Sequence, residues 1–266
     1  MRLFDSHCHL DDRAYDKDLN DVIHRMHEAG VVSAMTIGTT FERCAKGVAI
    51  AESIPGVYAS VGIHPHDAKS CDEDVLKTLK DLAGSPSVRA WGEIGLDFNR
   101  MYSPRNVQEK WLIRQLEIAN ALKLPAIFHE RDSNGRLIDI LKTHFTTGRN
   151  GVVHCFGGSE DELKQYLDLG FYIGITGIVT IKGRGSDLRK MVPSIPVNRI
   201  LIETDAPYLT PTPERNHTQR NEPAFVRSVL LKLAKVRQED PVSLAETLWN
   251  NTCRLYGVDA DTTLGR

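Results

Sequence analysis

The stretch LFDSHCHLDD near the start of the chain sets His7 and His9 two residues apart, with Asp5 before them and Asp11 after. Side chains on an extended strand alternate with period two, so Asp5, His7 and His9 would share one face and Ser6 and Cys8 the other. A lone pair of this kind is a modest sign of metal binding, but other residues join it. GIHPHD carries His64, WGEIGLD carries Glu93, IFHERD His129, VVHCF His154 and IETDAPY Asp205, each where a β-rich apolar run ends. Imidazole and carboxylate donors suit zinc, nickel, manganese or iron, and four histidines with a bridging carboxylate exceed the ligand set of one catalytic zinc. Two divalent ions fit better. His7, His9, Glu93 and Asp205 would hold one, and Glu93 would bridge to a second on His129 and His154. The chemistry expected is hydrolysis by a metal-activated water, with the metals stabilising charge on the attacked group and Asp205 as general base.

Such a site needs elements that end together on one side. Short apolar stretches recur along the chain: RLFDSH, VVSAMTIG, VYASVGIH, VRAWGEIG, PAIFHE, GVVHCF, FYIGITG and RILIETD. Segments of helical period lie between them. DLNDVIHRMHEAG stripes Leu19, Val22, Ile23 and Met26 and stops at Gly30, and NVQEKWLIRQLEIANALKL, EDELKQYLDLG and AFVRSVLLKLAKVRQ behave alike. About eight strands alternating with helices, with no low-complexity linker, predict a single (β/α)8 TIM barrel spanning residues 1–266 as one domain. An open doubly wound sheet is the structural alternative, weakened by the absence of GxGxxG. In a barrel the residues closing each strand face the active-site mouth, which is where the candidate donors fall.

Composition narrows the class. With 41% hydrophobic and 26% charged residues and no apolar run near the length of a membrane span, the chain reads as a globular protein. MRLFDSHCHL has no signal pattern, which predicts a cytoplasmic protein without a membrane partner. Five cysteines without CxxC spacing argue against a disulfide framework or a cysteine zinc site. A net charge of -2 argues against broad capture of duplex nucleic acid. GxSxG and GK[ST] are absent, and HERDS is not HExxH because Ser133 occupies the second histidine position.

Around the metal set, His64 is read as a phosphate contact at the mouth, with a core role as the alternative. Arg131, two residues beyond His129, is either a guanidinium for phosphate or a surface ion pair with Glu130 or Asp132. Glu203, deeper on the face of Asp205, either orients a ligand histidine or is a buried structural carboxylate, and Asp5 below His7 invites the same two readings. Arg220 and Asn221 of RNEPAFV are read as loop anchors. Lys182, Arg184, Arg189 and Lys190 of IKGRGSDLRK form a basic loop after the seventh strand, placed for phosphate or simply solvated.

Taken in order, DSHCHLD, GIHPHD, GEIGLDF, HERD, VVHCFGGS, IGITG, LIETDAPYL and RNEPAFV resemble the TatD family of metal-dependent deoxyribonucleases in the amidohydrolase superfamily. The resemblance covers almost the whole chain. It implies metal ligands at His7, His9, Glu93, His129, His154 and Asp205, the set already drawn from the strand ends. It implies two divalent ions, magnesium, manganese or zinc, and a single-stranded DNA substrate trimmed from its 3′ end, with no obligatory protein partner. The ligands alone equally admit ester or amide hydrolysis, as in a D-aminoacyl-tRNA deacylase.

Overall fold

A computed structural model describes residues 1–145 and 150–260. Its strands are β1 (Leu3–Cys8), β2 (Val31–Thr36), β3 (Val57–Val61), β4 (Val88–Asp97), β5 (Ala126–Arg131), β6 (Gly151–Val153), β7 (Tyr172–Ile175) and β8 (Ile200–Ile202). The α-helices are α1 (Leu19–Glu28), α2 (Phe41–Ser53), α3 (Glu73–Leu82), α4 (Arg105–Leu122), α5 (Arg136–His144), α6 (Glu160–Asp168), α7 (Ser186–Met191), α8 (Val226–Arg237) and α9 (Pro241–Tyr256). The strands form one parallel sheet in the order β1 to β8, with helices between them. This is the (β/α)8 barrel.

Local sequence explains where elements begin and end. Thr40, Asp72 and Asp240 each accept a backbone N–H in the first turn of α2, α3 and α9, and Ser159 with Glu162 makes a reciprocal capping box on α6. On α1, Val22, Ile23 and Met26 are buried while His24 and His27 face solvent. The chain leaves that helix through Gly30 at φ 81°, where a Cβ would sit 2.7 Å from the carbonyl oxygen of Met1.

Two apolar clusters divide the interior. The larger fills the layer between strands and helices. The smaller runs through the barrel, from Phe4, Met35, Ile127, Tyr172 and Leu201 on the strands to Trp249 and Tyr256 on α9. Phe4 packs on both of those α9 rings, at 5.9 and 6.1 Å between centroids, so α9 covers the end of the barrel where the strands begin. The opposite end is left open for polar groups.

The barrel closes through a short seam. Cys8 and Ala206 form a parallel bridge, the His9 N–H donates to Ala206 O (2.7 Å), and the Asp205 N–H donates to His7 O (2.9 Å). Buried side chains reinforce it. The Thr204 N–H donates to Asp5 Oδ1 (2.8 Å), Thr204 Oγ1 lies 2.5 Å from Asp5 Oδ2, and Ser6 Oγ donates to Ile202 O (3.0 Å). The β1–β2 register shifts between Asp5 and Cys8, and Asp5 serves the seam rather than a histidine ring, which decides its role for structure. Asn221 Nδ2 donates to Thr204 O (2.9 Å), and Arg220 pairs with Asp18 and Glu222, so RNEPAFV anchors a loop as expected.

The segment after β7 departs from a plain basic loop, because Ser186–Met191 coil into α7. Arg189 donates to the carbonyls of Val179 and Ile181, and Lys190 pairs with Asp187 at 2.7 Å. All five cysteines are unpaired, four of them buried, and among the described residues no helix is long and apolar enough to cross a membrane.

Burial pushes the Asp5 carboxyl up to about 8 from an ordinary 3.8, against the opposing hydrogen bonds of Thr204. The native state therefore holds a proton that the unfolded chain releases near pH 4, and the contribution of Asp5 to stability falls as pH rises from 4 to 8. In urea denaturation of metal-free protein, Asp5→Asn should gain on wild type across that window. Asp5→Ala, which strands both Thr204 donors, should cost about 3 kcal/mol. Parallel pH profiles for wild type and Asp5→Asn would contradict this account of the seam.

Candidate metal centre

The open end of the barrel collects the residues singled out in sequence. His7 and His129 lie near the ends of β1 and β5, and Glu93 is on β4. His9, His64, His154 and Asp205 lie just beyond β1, β3, β6 and β8, because several strands are shorter than their apolar runs.

Two carboxylates organise the cluster. Glu93 faces three imidazoles: its Oε1 is 2.8 Å from His129 Nδ1 and 3.5 Å from His64 Nε2, and its Oε2 is 3.5 Å from His7 Nε2. Asp205 also faces three, its Oδ1 lying 3.4 Å from His9 Nε2 and 3.6 Å from both His7 Nε2 and His154 Nε2. His7 Nε2 is common to both. Donors each about 2.1 Å from one tetrahedral ion stand about 3.4 Å apart, which matches most of these spacings better than direct hydrogen bonding does. His7 is only 1% exposed, yet neither of its ring nitrogens has a hydrogen-bond partner. A buried imidazole without partners is costly, and a cation supplies what is missing. The donor atoms of His7, His9 and Glu93 lie mutually close enough to share an ion, as do those of His7, His154 and Asp205 and those of His64, His66 and His129.

The electrostatics point the same way. Burial opposes ionisation of Glu93, yet the imidazoles of His64 and His129 hold it well below the usual carboxylate range. Burial likewise opposes Asp205, which His154 and His9 hold below its ordinary value. Burial disfavours charge on His154, but Glu203 and Asp205 outweigh it and lift the imidazole to about 10. The carboxylates thus create a field that retains positive charge at the centre.

Behind two of the histidines stands a further carboxylate. Glu203 Oε1 is 2.7 Å from His154 Nδ1 and accepts the Cys155 N–H at 2.6 Å, leaving Nε2 turned toward Asp205. Gly174 makes room for this carboxylate, since a Cβ there would lie 2.6 Å from Glu203. Asp97 Oδ2 is 3.4 Å from His129 Nε2 and 2.6 Å from His66 Nε2, leaving His129 Nδ1 for Glu93. Sequence reasoning missed Asp97 and His66. The period of two that runs from Glu93 through Gly95 marks Asp97, whereas His66 sits in the 3-10 segment Pro65–Ser70 and carries no strand signal. Asp205 and Cys155, at φ 57° and 48°, turn through the left-handed region directly after β8 and β6.

Beside the cluster opens a cavity of about 640 Å³ whose walls include His129, His154, Asp205, Arg131, Arg184 and Met191. Arg131 lines this cavity and forms no ion pair with Glu130 or Asp132 among the described residues. Of the four basic residues after β7, Arg184 alone reaches the cavity wall. His64 is not out on the rim but against Glu93, inside the cluster.

Glu203→Ala should remove the ion-pair partner of His154 Nδ1 and the acceptor of the Cys155 amide. Expected effects are a stability loss of about 3 kcal/mol in urea and zinc affinity of the chelator-treated protein lowered roughly 10–100-fold by titration calorimetry. Wild-type affinity in the variant would show that Glu203 does not orient His154.

A family model for TatD related DNases matches residues 4–257. A 3′-5′ ssDNA/RNA exonuclease TatD from Rahnella sp. (strain Y9602) is 39% identical over 261 residues, covering 97% of this chain and 99% of that protein. The protein of the same name from Yersinia pseudotuberculosis serotype O:3 (strain YPIII) is 40% identical over 257 residues, with 96% and 99% covered. The crystal structure of YJJV, a TatD homolog from Escherichia coli K12, matches with a TM-score of 0.90 at 32% identity, over 97% of this chain and 99% of that one. A TatD family hydrolase from Entamoeba histolytica, 23% identical over 97% and 99% of the two chains with a TM-score of 0.86, has the same fold. On a match that runs from the first strand to the last helix, with relatives of this identity over their full length, the chain belongs to the family of TatD-related DNases.

Proposed function

We propose that the protein is a 3′-5′ exonuclease that hydrolyses phosphodiester bonds in single-stranded nucleic acid, DNA foremost, at a centre of two divalent ions. The observation that carries this reading is the pair of carboxylates, Glu93 and Asp205, each facing three imidazoles around a shared His7. One ion is assigned to His7, His9, Glu93 and Asp205, and the other to Glu93, His129 and His154. The imidazole-rich set favours zinc or manganese, with magnesium the third candidate. The names of the relatives support the substrate and direction, and the family favours phosphodiesters over the esters and amides that the donor set alone admits. Residues 1–266 act as one catalytic domain. Five unpaired cysteines fit a reducing compartment, the cytoplasm.

Bound divalent ions supply Lewis-acid charge to the phosphate and a water of lowered pKa. The chain's own groups do the rest. Asp205 turns Oδ1 to the three imidazoles, so Oδ2 is the oxygen left to take a proton from the attacking water. Glu93 spans both halves of the site through its two oxygens. His64 accepts the His66 N–H on Nδ1 (3.1 Å), which leaves its own proton on Nε2, turned toward Glu93 Oε1 at 3.5 Å. Burial, aided by His129, depresses this imidazole to about 4, so it donates as a neutral group. Arg131 and Arg184 offer guanidinium groups to the substrate backbone from the cavity wall.

The test is cleavage of a 5′-labelled single-stranded oligonucleotide by chelator-treated protein, with magnesium, manganese or zinc restored singly and Asp205→Asn as the control. A ladder shortening from the 3′ end, dependent on metal and reduced about a thousandfold in the variant, is expected. No cleavage by protein shown to carry its metals would overturn the nuclease reading in favour of ester hydrolysis.

A further inference from the structure

Four large apolar side chains stand exposed on segments that follow strands at the open end of the barrel: Phe41 after β2, Met101 and Tyr102 after β4, and Tyr208 after β8. Two of them touch the metal cluster. Tyr102, 56% exposed, packs edge-on against His66 at 4.8 Å between centroids, and His66 is tied to Asp97 behind His129. Tyr208, 48% exposed, packs edge-on against His9 at 5.8 Å, and its hydroxyl donates to Asp12 Oδ2 at 3.0 Å. In a barrel ordered β1 to β8, the ends of β4 and β8 lie half a turn apart. The two phenol rings therefore flank the cluster from opposite sides.

From this placement we infer that Tyr102 and Tyr208 are base-stacking platforms that hold unstacked nucleobases on either side of the reacting phosphate. The inference rests on the nuclease reading above and deepens it to the level of substrate form. Tyr102 meets His66, Tyr208 meets His9 and Asp12, and each keeps about half its surface exposed for another partner. Bases of a single strand can be turned out onto such rings, while those of a duplex are already stacked on their neighbours. Every base has a π-face, so two tyrosines select strandedness without selecting sequence. On the same side Arg43 is paired with Asp11 and Asp12.

The test pairs enzyme and substrate changes. Tyr102→Ala and Tyr208→Ala should each raise KM for a single-stranded oligonucleotide about tenfold, with Tyr102→Phe and Tyr208→Phe, which keep the ring, restoring it. Wild-type enzyme on an oligonucleotide made abasic around the cut site should show a similar rise, and the alanine substitutions should add nothing to it. Unchanged KM in both alanine variants, or an equal loss on intact and abasic strands, would overturn the inference while the nuclease reading stands. If wild type with its metals cuts no single strand at all, the nuclease reading fails, and this inference with it.

Discussion

Closing the sheet between β8 and β1 is the constraint on which the rest of the molecule depends. The contact is short there: β8 is three residues long and meets β1 mainly through a single bridge and the hydrogen bonds around it. Side chains strengthen what the backbone ladder lacks, with Asp5 on Thr204, Ser6 on Ile202 and Asn221 behind them, all in the dry interior where each satisfied polar group matters most. The same few residues carry His7, His9 and Asp205. Closing the barrel and assembling the donors are one event.

The cluster that results is charged in a particular way. Glu93, Asp205, Glu203 and Asp97 crowd one end of a barrel otherwise lined with apolar side chains, and among the imidazoles between them His154 is drawn toward its charged form while neither nitrogen of His7 has a hydrogen-bond partner. Apolar filling at one end and a cation-seeking cluster at the other follow from the direction of the strands, since α9 seals the end at which they start. Glu203 and Asp97 perform the same service on opposite flanks, each fixing which nitrogen of a histidine turns inward.

Much of this was legible in the sequence because the signals are local. Eight apolar runs define the strands, six of them with an imidazole or carboxylate at or near the end define the donors, and the stripe of Leu19, Val22, Ile23 and Met26 defines α1. What escaped depends on contacts between distant segments. Of the two readings open for Asp5, the structural one holds, but its partner Thr204, 199 residues away, could not be read from β1 alone. Asp97 was passed over because Glu93 seemed to end its strand, whereas β4 continues to Asp97 against β5. Helix α7 hid inside a basic stretch whose arginine turned out to bind carbonyls of its own loop. The alternation rule locates strand-end donors well and says nothing of a histidine such as His66 on a 3-10 turn.

The donors are also far apart in time. A chain leaving the ribosome displays His7 and His9 almost at once, but Asp205 and the closing segment at Ala206 are made only after every other strand. Until then β1 has no neighbour on its open side and the centre lacks a carboxylate. A chain that stops before that point lacks both the carboxylate that faces three imidazoles and the segment that closes the barrel.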